Sequence, residues 1–174
     1  RFNIYLDGIQ YDKKFVFSEA GHNLEPSEIG AAFGLVQLNK LKKNIQSREN
    51  NFKNLSKFLK KYEKYFILPK QLSGSKTGWL AYPLTIKENT PFTRTEMQIF
   101  LEKRNIQTRV VFTGNILRQP GFKNIKARKI KNGYPESDKV MKNGILLGCH
   151  QGMTKKMILH LTESIELFIL SKTK

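Results

Sequence analysis

The sequence predicts an α/β chain in which a long N-terminal helix is followed by a small mixed sheet covered by helices. Three observations predict it. Apolar residues recur at three- and four-residue spacing from Ile29 to Tyr62, the pattern of one face of a helix. From Tyr65 onward, short apolar runs alternate with helical patterns in the order β-β-α-β-α-β-α, which argues for helices packed on a single small sheet. The chain has 174 residues, 39% of them hydrophobic, which is enough to bury a sizeable core. No internal repeat and no domain-sized linker divides it.

Each element has its own signal. Residues 1–20 are aromatic and mixed, and read as strand or loop. Gly21-His22-Asn23-Leu24 reads as a turn, and Pro26-Ser27-Glu28 as a helix start, with an acid favoured by the helix dipole. The stripe Ile29, Ala32, Phe33, Val36, Leu41, Ile45 then carries a helix, or a broken pair, to about Tyr62. The small residues Gly30, Ala31, Ala32 and Gly34 suggest that its first half is buried and its second half exposed.

Tyr65–Pro69 is a short strand, and Ser73–Gly78 a loop. Trp79–Ile86 is a strand whose Pro83 suggests an edge or a bulge. Thr93 and Glu96 have capping-box spacing and open a helix that runs to about Arg104. Ile106–Phe112 is a strand. Asn115–Phe122 is a turn or short helix halted at Pro120, and a basic loop follows. Ser137–Asn143 is a short helix, Ile145–Gly148 a buried strand, and Thr154 to about Leu170 a closing amphipathic helix.

Composition excludes several classes. Thirty-one Lys and Arg against 14 Asp and Glu give a net charge of +17. That charge invites a nucleic-acid reading, because basic side chains neutralise phosphates. Its placement argues otherwise: Lys40–Lys64 holds nine basic residues against two acidic ones, interleaved with Phe52, Leu55 and Leu59 as on the wet face of an amphipathic helix. No zinc-finger or RNA-recognition signature accompanies it, so no nucleic acid is expected as a partner. A basic binding module remains the alternative that charge alone suggests. No apolar run approaches the roughly 20 residues that span a bilayer, and no membrane partner is expected. A single cysteine, Cys149, precludes an internal disulfide and points to a reducing, cytoplasmic setting.

Reactive side chains are few. Cys149 and His150 adjoin, but neighbours on a strand face opposite ways, so a nucleophile–base pair is not expected there. His22, His150 and His160 lack metal-ligand spacing, and no phosphate-binding Gly-Lys-Ser/Thr motif occurs. The segment from Thr108 to Pro120 is more informative. It sets Arg109, Asn115 and Arg118 around a glycine turn after a strand, and arginine forks suit phosphates and carboxylates. A phosphate or nucleotide site and ordinary surface ion pairs both fit that pattern.

Two of these segments resemble a known family. Residues 21–38, Gly-His-Asn-Leu-Glu-Pro-Ser-Glu-Ile-Gly-Ala-Ala-Phe-Gly-Leu-Val-Gln-Leu, resemble a segment of the DegT/StrS-like sugar aminotransferases, pyridoxal-phosphate enzymes of the aspartate-aminotransferase fold. Gln107–Phe112, with Gly114-Asn115 and Arg118-Gln119-Pro120, is similar to the branch of that family that acts as 3-dehydrases on nucleotide-linked 4-keto-6-deoxyhexoses. Gly148–Thr154 and the helix after it resemble the same branch's C-terminus.

The resemblance implies that residues 1–62 are the end of a large domain and its connecting helix. Residues 63–174 would be the C-terminal small α/β domain of a fold-type I transferase. It implies an enzyme of deoxysugar and lipopolysaccharide O-antigen biosynthesis, a homodimer, that uses pyridoxal or pyridoxamine 5′-phosphate to remove the C3 hydroxyl. An ordinary sugar aminotransferase is the alternative. The family's catalytic Lys, His in the 3-dehydrases, would lie upstream, so no catalytic residue is expected in this chain. Some branch members carry a [2Fe–2S] cluster, also upstream. Asn23 matches the Asn that reaches the partner subunit's cofactor phosphate, although His22 replaces the usual Tyr beside it; alternatively Asn23 only shapes the turn. Arg109, Asn115 and Arg118 would lie near the sugar nucleotide.

Overall fold

A computed structural model of the chain describes residues 4–12, 14, 16, 19–22, 24–122, 124–128 and 130–173. The chain divides into two compact units, Arg1–Asn39 and Lys40–Lys174.

The first unit opens with an antiparallel hairpin of β1 (Ile4–Leu6) and β2 (Ile9–Tyr11), in which Leu6 pairs with Ile9. Its two-residue turn is Asp7-Gly8, with φ of 47° and 83°. Both signs match the turn that lets two twisted strands meet, and Asp-Gly is a favoured pair for it. The hairpin resolves the strand-or-loop ambiguity of residues 1–20 for this segment. Asn23 lies outside the described residues.

The long helix α1 (Glu28–Leu59) is unbroken. Ser27 caps it: its Oγ accepts from the Gly30 N–H at 3.0 Å, so Pro26 stands just ahead of the cap. The expectation that the first half of α1 is buried is overturned. Residues 24–43 are all exposed, whereas Asn51, Leu55 and Leu59 of the second half are buried. The small-residue run gives no burial of its own, and Ile29, Phe33 and Val36 remain 85%, 66% and 50% exposed. What buries the later stripe is the sheet and helices that follow it.

In the second unit the sheet has the order β3-β4-β6-β5, from β3 (Phe66–Ile67), β4 (Ala81–Ile86), β5 (Arg109–Val110) and β6 (Gly144–Gly148). The helices are α2 (Arg94–Lys103), α3 (Pro135–Asn143) and α4 (Lys155–Lys172). The small helix-covered sheet is as expected, with one refinement: every pairing is antiparallel. β4 and β5 run in the same sense and are linked through α2, which suggests a mixed sheet; β6 inserts between them, so no parallel pair forms.

Pro83 shows how that sheet tolerates an imino acid inside an interior strand. The Lys87 N–H donates to the Tyr65 carbonyl at 2.8 Å, so odd-numbered amides of β4 point toward β3. β3 ends at Ile67, opposite Thr85, before it reaches Pro83. The missing N–H is thus on a locally open edge.

β4 alternates buried and half-buried residues, with Tyr82, Leu84 and Ile86 inward. They join Leu55, Leu59, Ile145, Leu147, Leu161, Ile165 and Phe168 in one core. Phe92 meets Phe168 edge-on at 5.0 Å, and Phe52 stacks on Trp79 at 3.9 Å. The Tyr62 hydroxyl donates to Glu166 Oε1 at 2.5 Å; burial, then the carboxylate, push its pKa up to about 12. The strand expected over Ile106–Phe112 narrows to Arg109–Val110. Before it, the Thr108 N–H is taken by Glu102 Oε1 at 2.7 Å, and after it Phe112 turns to φ 45°. Among the described residues no helix is long and apolar enough to cross a membrane.

Candidate functional site

The turn that follows β5 depends on Gly114. Its φ is 61°, and a Cβ there would stand 2.5 Å from the Cβ of Met141, so only glycine lets the turn lie against α3. That approach brings Asn115 and Arg118 to one carboxylate, Asp138, in the first turn of α3. Asn115, 7% exposed, donates from Nδ2 to Asp138 Oδ1 at 2.8 Å and accepts the Leu117 N–H on Oδ1 at 3.1 Å. Arg118 grips both carboxylate oxygens, Oδ1 from Nε and Oδ2 from Nη2 at 2.6 Å. Arg118, then Asn115, hold the Asp138 pKa down to about 2. Beside the turn is a small cavity of about 270 Å³ lined by Asn115, Arg128, Tyr134 and Ser137 among others.

Arg109 stands apart from this network. It pairs with Leu146 across β5 and β6, and Ala81 pairs with Gly148, so these residues share the sheet face opposite Tyr82 and Leu147. That face borders a cleft of about 580 Å³, which is also lined by Met153 and by Lys156, Met157 and His160 of the first turns of α4. Ile106 and Leu146 add to its apolar lining, and no Asp or Glu lines it. Among the described residues, neither Arg109 nor Lys156 has a side-chain hydrogen-bond or ion-pair partner. A guanidinium free of protein carboxylates at the edge of an apolar cleft is suited to an anionic group.

Sequence reasoning singled out Arg109, Asn115 and Arg118 as candidates but not Asp138, whose position in a helical first turn reads as ordinary capping. It set His150 and His160 aside for want of metal spacing, and both line the cleft. Cys149 behaves as expected of a structural thiol. It is fully buried, donates to the Arg48 carbonyl at 3.7 Å, and burial raises its pKa to about 11. Among the described residues no three His, Cys, Asp or Glu side chains converge as metal ligands.

Residues 3–166 match the profile of the DegT/DnrJ/EryC1/StrS aminotransferase family. The chain belongs to this family. Within it, the chain is 34% identical over 171 residues to the dTDP-4-dehydro-2,6-dideoxy-D-glucose 3-dehydratase of Saccharopolyspora spinosa, which covers 97% of this chain and 37% of that protein. It is 32% identical over 158 residues to the lipopolysaccharide biosynthesis protein RfbH of Salmonella typhimurium, covering 91% of this chain and 36% of that protein. The fold is similar to that of the E. coli GDP-4-keto-6-deoxy-D-mannose-3-dehydratase with bound hydrated PLP. The TM-score is 0.75 at 26% identity, over 88% of this chain and 39% of that one. The chain therefore spans little more than a third of the length of the relatives it matches. Members of the DegT/DnrJ/EryC1/StrS family are aminotransferase-fold proteins, and the long helix with its small helix-covered sheet is this chain's share of that fold.

The described residues do not by themselves make a PLP site. The cleft has no carboxylate for a pyridinium nitrogen, and its one lysine, Lys156, is exposed. What the chain offers is the cleft and the Asn115–Asp138–Arg118 network.

Proposed function

We propose that this chain contributes the C-terminal portion of a nucleotide-sugar 3-dehydratase, an enzyme that removes the C3 hydroxyl of a nucleotide-linked 4-keto-6-deoxyhexose. In this reading residues 1–62 belong to the end of the large domain and the connecting helix, and residues 63–174 are the small domain. The observation that carries it is the unpaired Arg109 in a carboxylate-free cleft, in a chain whose relatives at 34% and 26% identity are named as 3-dehydratases of nucleotide-linked sugars. Arg109 meets an anionic group of the substrate. Asp138 holds Arg118 and Asn115 at the neighbouring turn, so that the outer edge of the Arg118 guanidinium, on a side chain 61% exposed, is free for the sugar nucleotide.

The cofactor, pyridoxamine phosphate in this reading, would supply the electron sink that lets the C3 hydroxyl leave; its pocket and the base lie outside this chain's described residues. Asn23 is the one position proposed to touch the cofactor phosphate, across a homodimer interface. The protein works in the cytoplasm, within deoxysugar and lipopolysaccharide synthesis. Mass spectrometry of a nucleotide-linked 4-keto-6-deoxyhexose incubated with the full-length protein and cofactor tests this. Loss of the C3 oxygen supports it. Exchange of the C4 ketone for an amine with C3 intact would identify an aminotransferase instead, and the 3-dehydratase reading would fall.

A further inference from the structure

The loop between β6 and α4 supplies His150 and Met153 to the cleft, and it is tied to the middle of α1. The ties come from one turn of that helix. Asn51 Nδ2 donates to the His150 carbonyl at 2.9 Å, Arg48 Nε donates to Gln151 Oε1 at 2.7 Å, and the Arg48 carbonyl accepts the Cys149 thiol at 3.7 Å. Residues 149, 150 and 151 are thus each held by α1. The loop passes the constraint on to the cleft. The His150 carbonyl also accepts the Met153 N–H at 3.2 Å, and His150 Nδ1 accepts the Gly152 N–H at 3.1 Å, so the imidazole folds back on its own loop. The Met153 thioether lies over Gly148, where an added Cβ would stand 3.3 Å from its sulfur.

We infer that Arg48 and Asn51 are positioning residues for the cleft: they fix the 149–152 loop against α1 and so set where His150 and Met153 stand relative to Arg109. The inference rests on the reading above, in which Arg109 meets an anionic group of the substrate. Neither Arg48 nor Asn51 lines the cleft, so both act only through the loop. Asn51 is 9% exposed, and a buried amide is costly unless it is paired. If packing were all that this position required, a leucine of similar shape would serve, since the His150 carbonyl would keep the Met153 N–H. The amide instead goes to the carbonyl that carries the Met153 backbone. Arg48 adds a further anchor, because its Nη1 reaches the Gly78 carbonyl at 3.4 Å. Loops without such ties open more readily than the sheet beside them. A binding site needs its lining groups held to within about 0.5 Å, which a loop achieves only when a rigid element supports it.

The test uses Asn51→Leu, which keeps the shape and removes the donor, and Arg48→Met, which keeps the aliphatic stem of a half-buried side chain. Lys53→Gln, an exposed position on the same helix, is the control. With the methionine methyl groups of the full chain labelled for NMR, both variants are expected to shift or broaden the Met153 resonance. The Met97 resonance, from a core residue 0% exposed, stays in place and reports that the fold is intact. In the full-length protein turning over a nucleotide-linked 4-keto-6-deoxyhexose, both variants raise KM by about tenfold and leave kcat within about twofold. Lys53→Gln changes neither. A purely structural role would lower the amount of folded protein instead, giving a smaller apparent kcat at unchanged KM with a displaced Met97 resonance, and that result overturns the inference. An unmoved Met153 resonance or an unchanged KM in Arg48→Met overturns it as well. The two readings fail separately, because the NMR measurement needs no turnover. A shifted Met153 in a protein that exchanges the C4 ketone for an amine removes the 3-dehydratase alone. Dehydration with Met153 and KM unaltered in the variants removes the positioning role alone.

Discussion

Glu96 and Lys172 join the start of α2 to the end of α4. Glu96 Oε1 accepts from Lys172 Nζ at 2.6 Å, and its other oxygen accepts the Thr93 N–H at 2.7 Å, completing the capping box foreseen from Thr93 and Glu96. One carboxylate thus closes a helix locally and pins another helix from far along the chain. Lys172 first, then the Thr93 backbone, hold the Glu96 pKa down to about 2.

Glu96 and Asp138 make the fold sensitive to acid, modestly because both are partly exposed. Both pKa values are depressed in the native state, so their contribution is fully present above the ordinary carboxylate range and is lost as pH falls from about 4 to about 2. Thermal unfolding followed across that window is expected to show a fall in Tm. Glu96→Gln and Asp138→Asn each make the fall shallower, and the double variant shallower still; an unchanged slope in both single variants contradicts the assignment.

The half of α1 that carries stability is the second. Leu59 is 0% exposed and Leu38 is 62% exposed. Leu59→Ala is expected to lose about 2–5 kcal/mol, as buried leucines do, and Leu38→Ala to stay within about 0.5 kcal/mol. Urea midpoints of the two variants decide it; equal losses would mean that Leu38 is covered in solution.

Gly114 is held by two constraints and Gly74 by one. Both have positive φ, 61° and 76°, but a Cβ on Gly74 meets nothing within 4 Å whereas one on Gly114 meets Met141 at 2.5 Å. Gly74→Ala should lose about 1 kcal/mol from the backbone alone. Gly114→Ala adds about 1–3 kcal/mol of overpacking and displaces Asn115 from Asp138. Chemical denaturation of the pair measures the difference, and similar losses would show that the turn is not packed on α3 as described.

Cys149 reports global opening. Its thiol is fully buried and its pKa is raised to about 11 by that burial, so it is protonated and sealed at neutral pH. Reaction with a thiol reagent near neutral pH is expected to be negligible in the native protein and complete in denaturant. Rapid native labelling would show that the strand end at Cys149 opens independently.

Much of this architecture is legible in the sequence because its signals are local. The Thr93–Glu96 box, the helical stripe through Leu55 and Leu59, and the alternation of Tyr82, Leu84 and Ile86 depend on neighbours a few residues away, where propensity and periodicity act. Asp7-Gly8 is a pair that favours positive φ, yet the reading of residues 1–20 as strand or loop places no turn there. Arg109, Asn115 and Arg118 stand out as arginines and an amide around a glycine turn.

Asp138 and the cleft histidines were not legible, because their meaning comes from partners far along the chain. Asp138 matters through Arg118, twenty residues earlier, and His160 is held by the Arg104 carbonyl, 56 residues earlier. The same holds for burial along α1, whose two halves carry similar apolar stripes. Only the packing of the sheet against Leu55 and Leu59 distinguishes them.

By itself, then, the sequence determined the long helix, the order of strands and helices that follows it and the Thr93–Glu96 cap, since these follow from local backbone preference and side-chain chemistry. Tertiary structure alone decided that β6 slips between β4 and β5, making every pairing antiparallel. It decided, too, that Asn115 and Arg118 share a carboxylate while Arg109 stands free at a cleft. Hydrogen bonds and burial between distant segments are properties of the folded chain, and one-dimensional periodicity carries no record of which segments will meet.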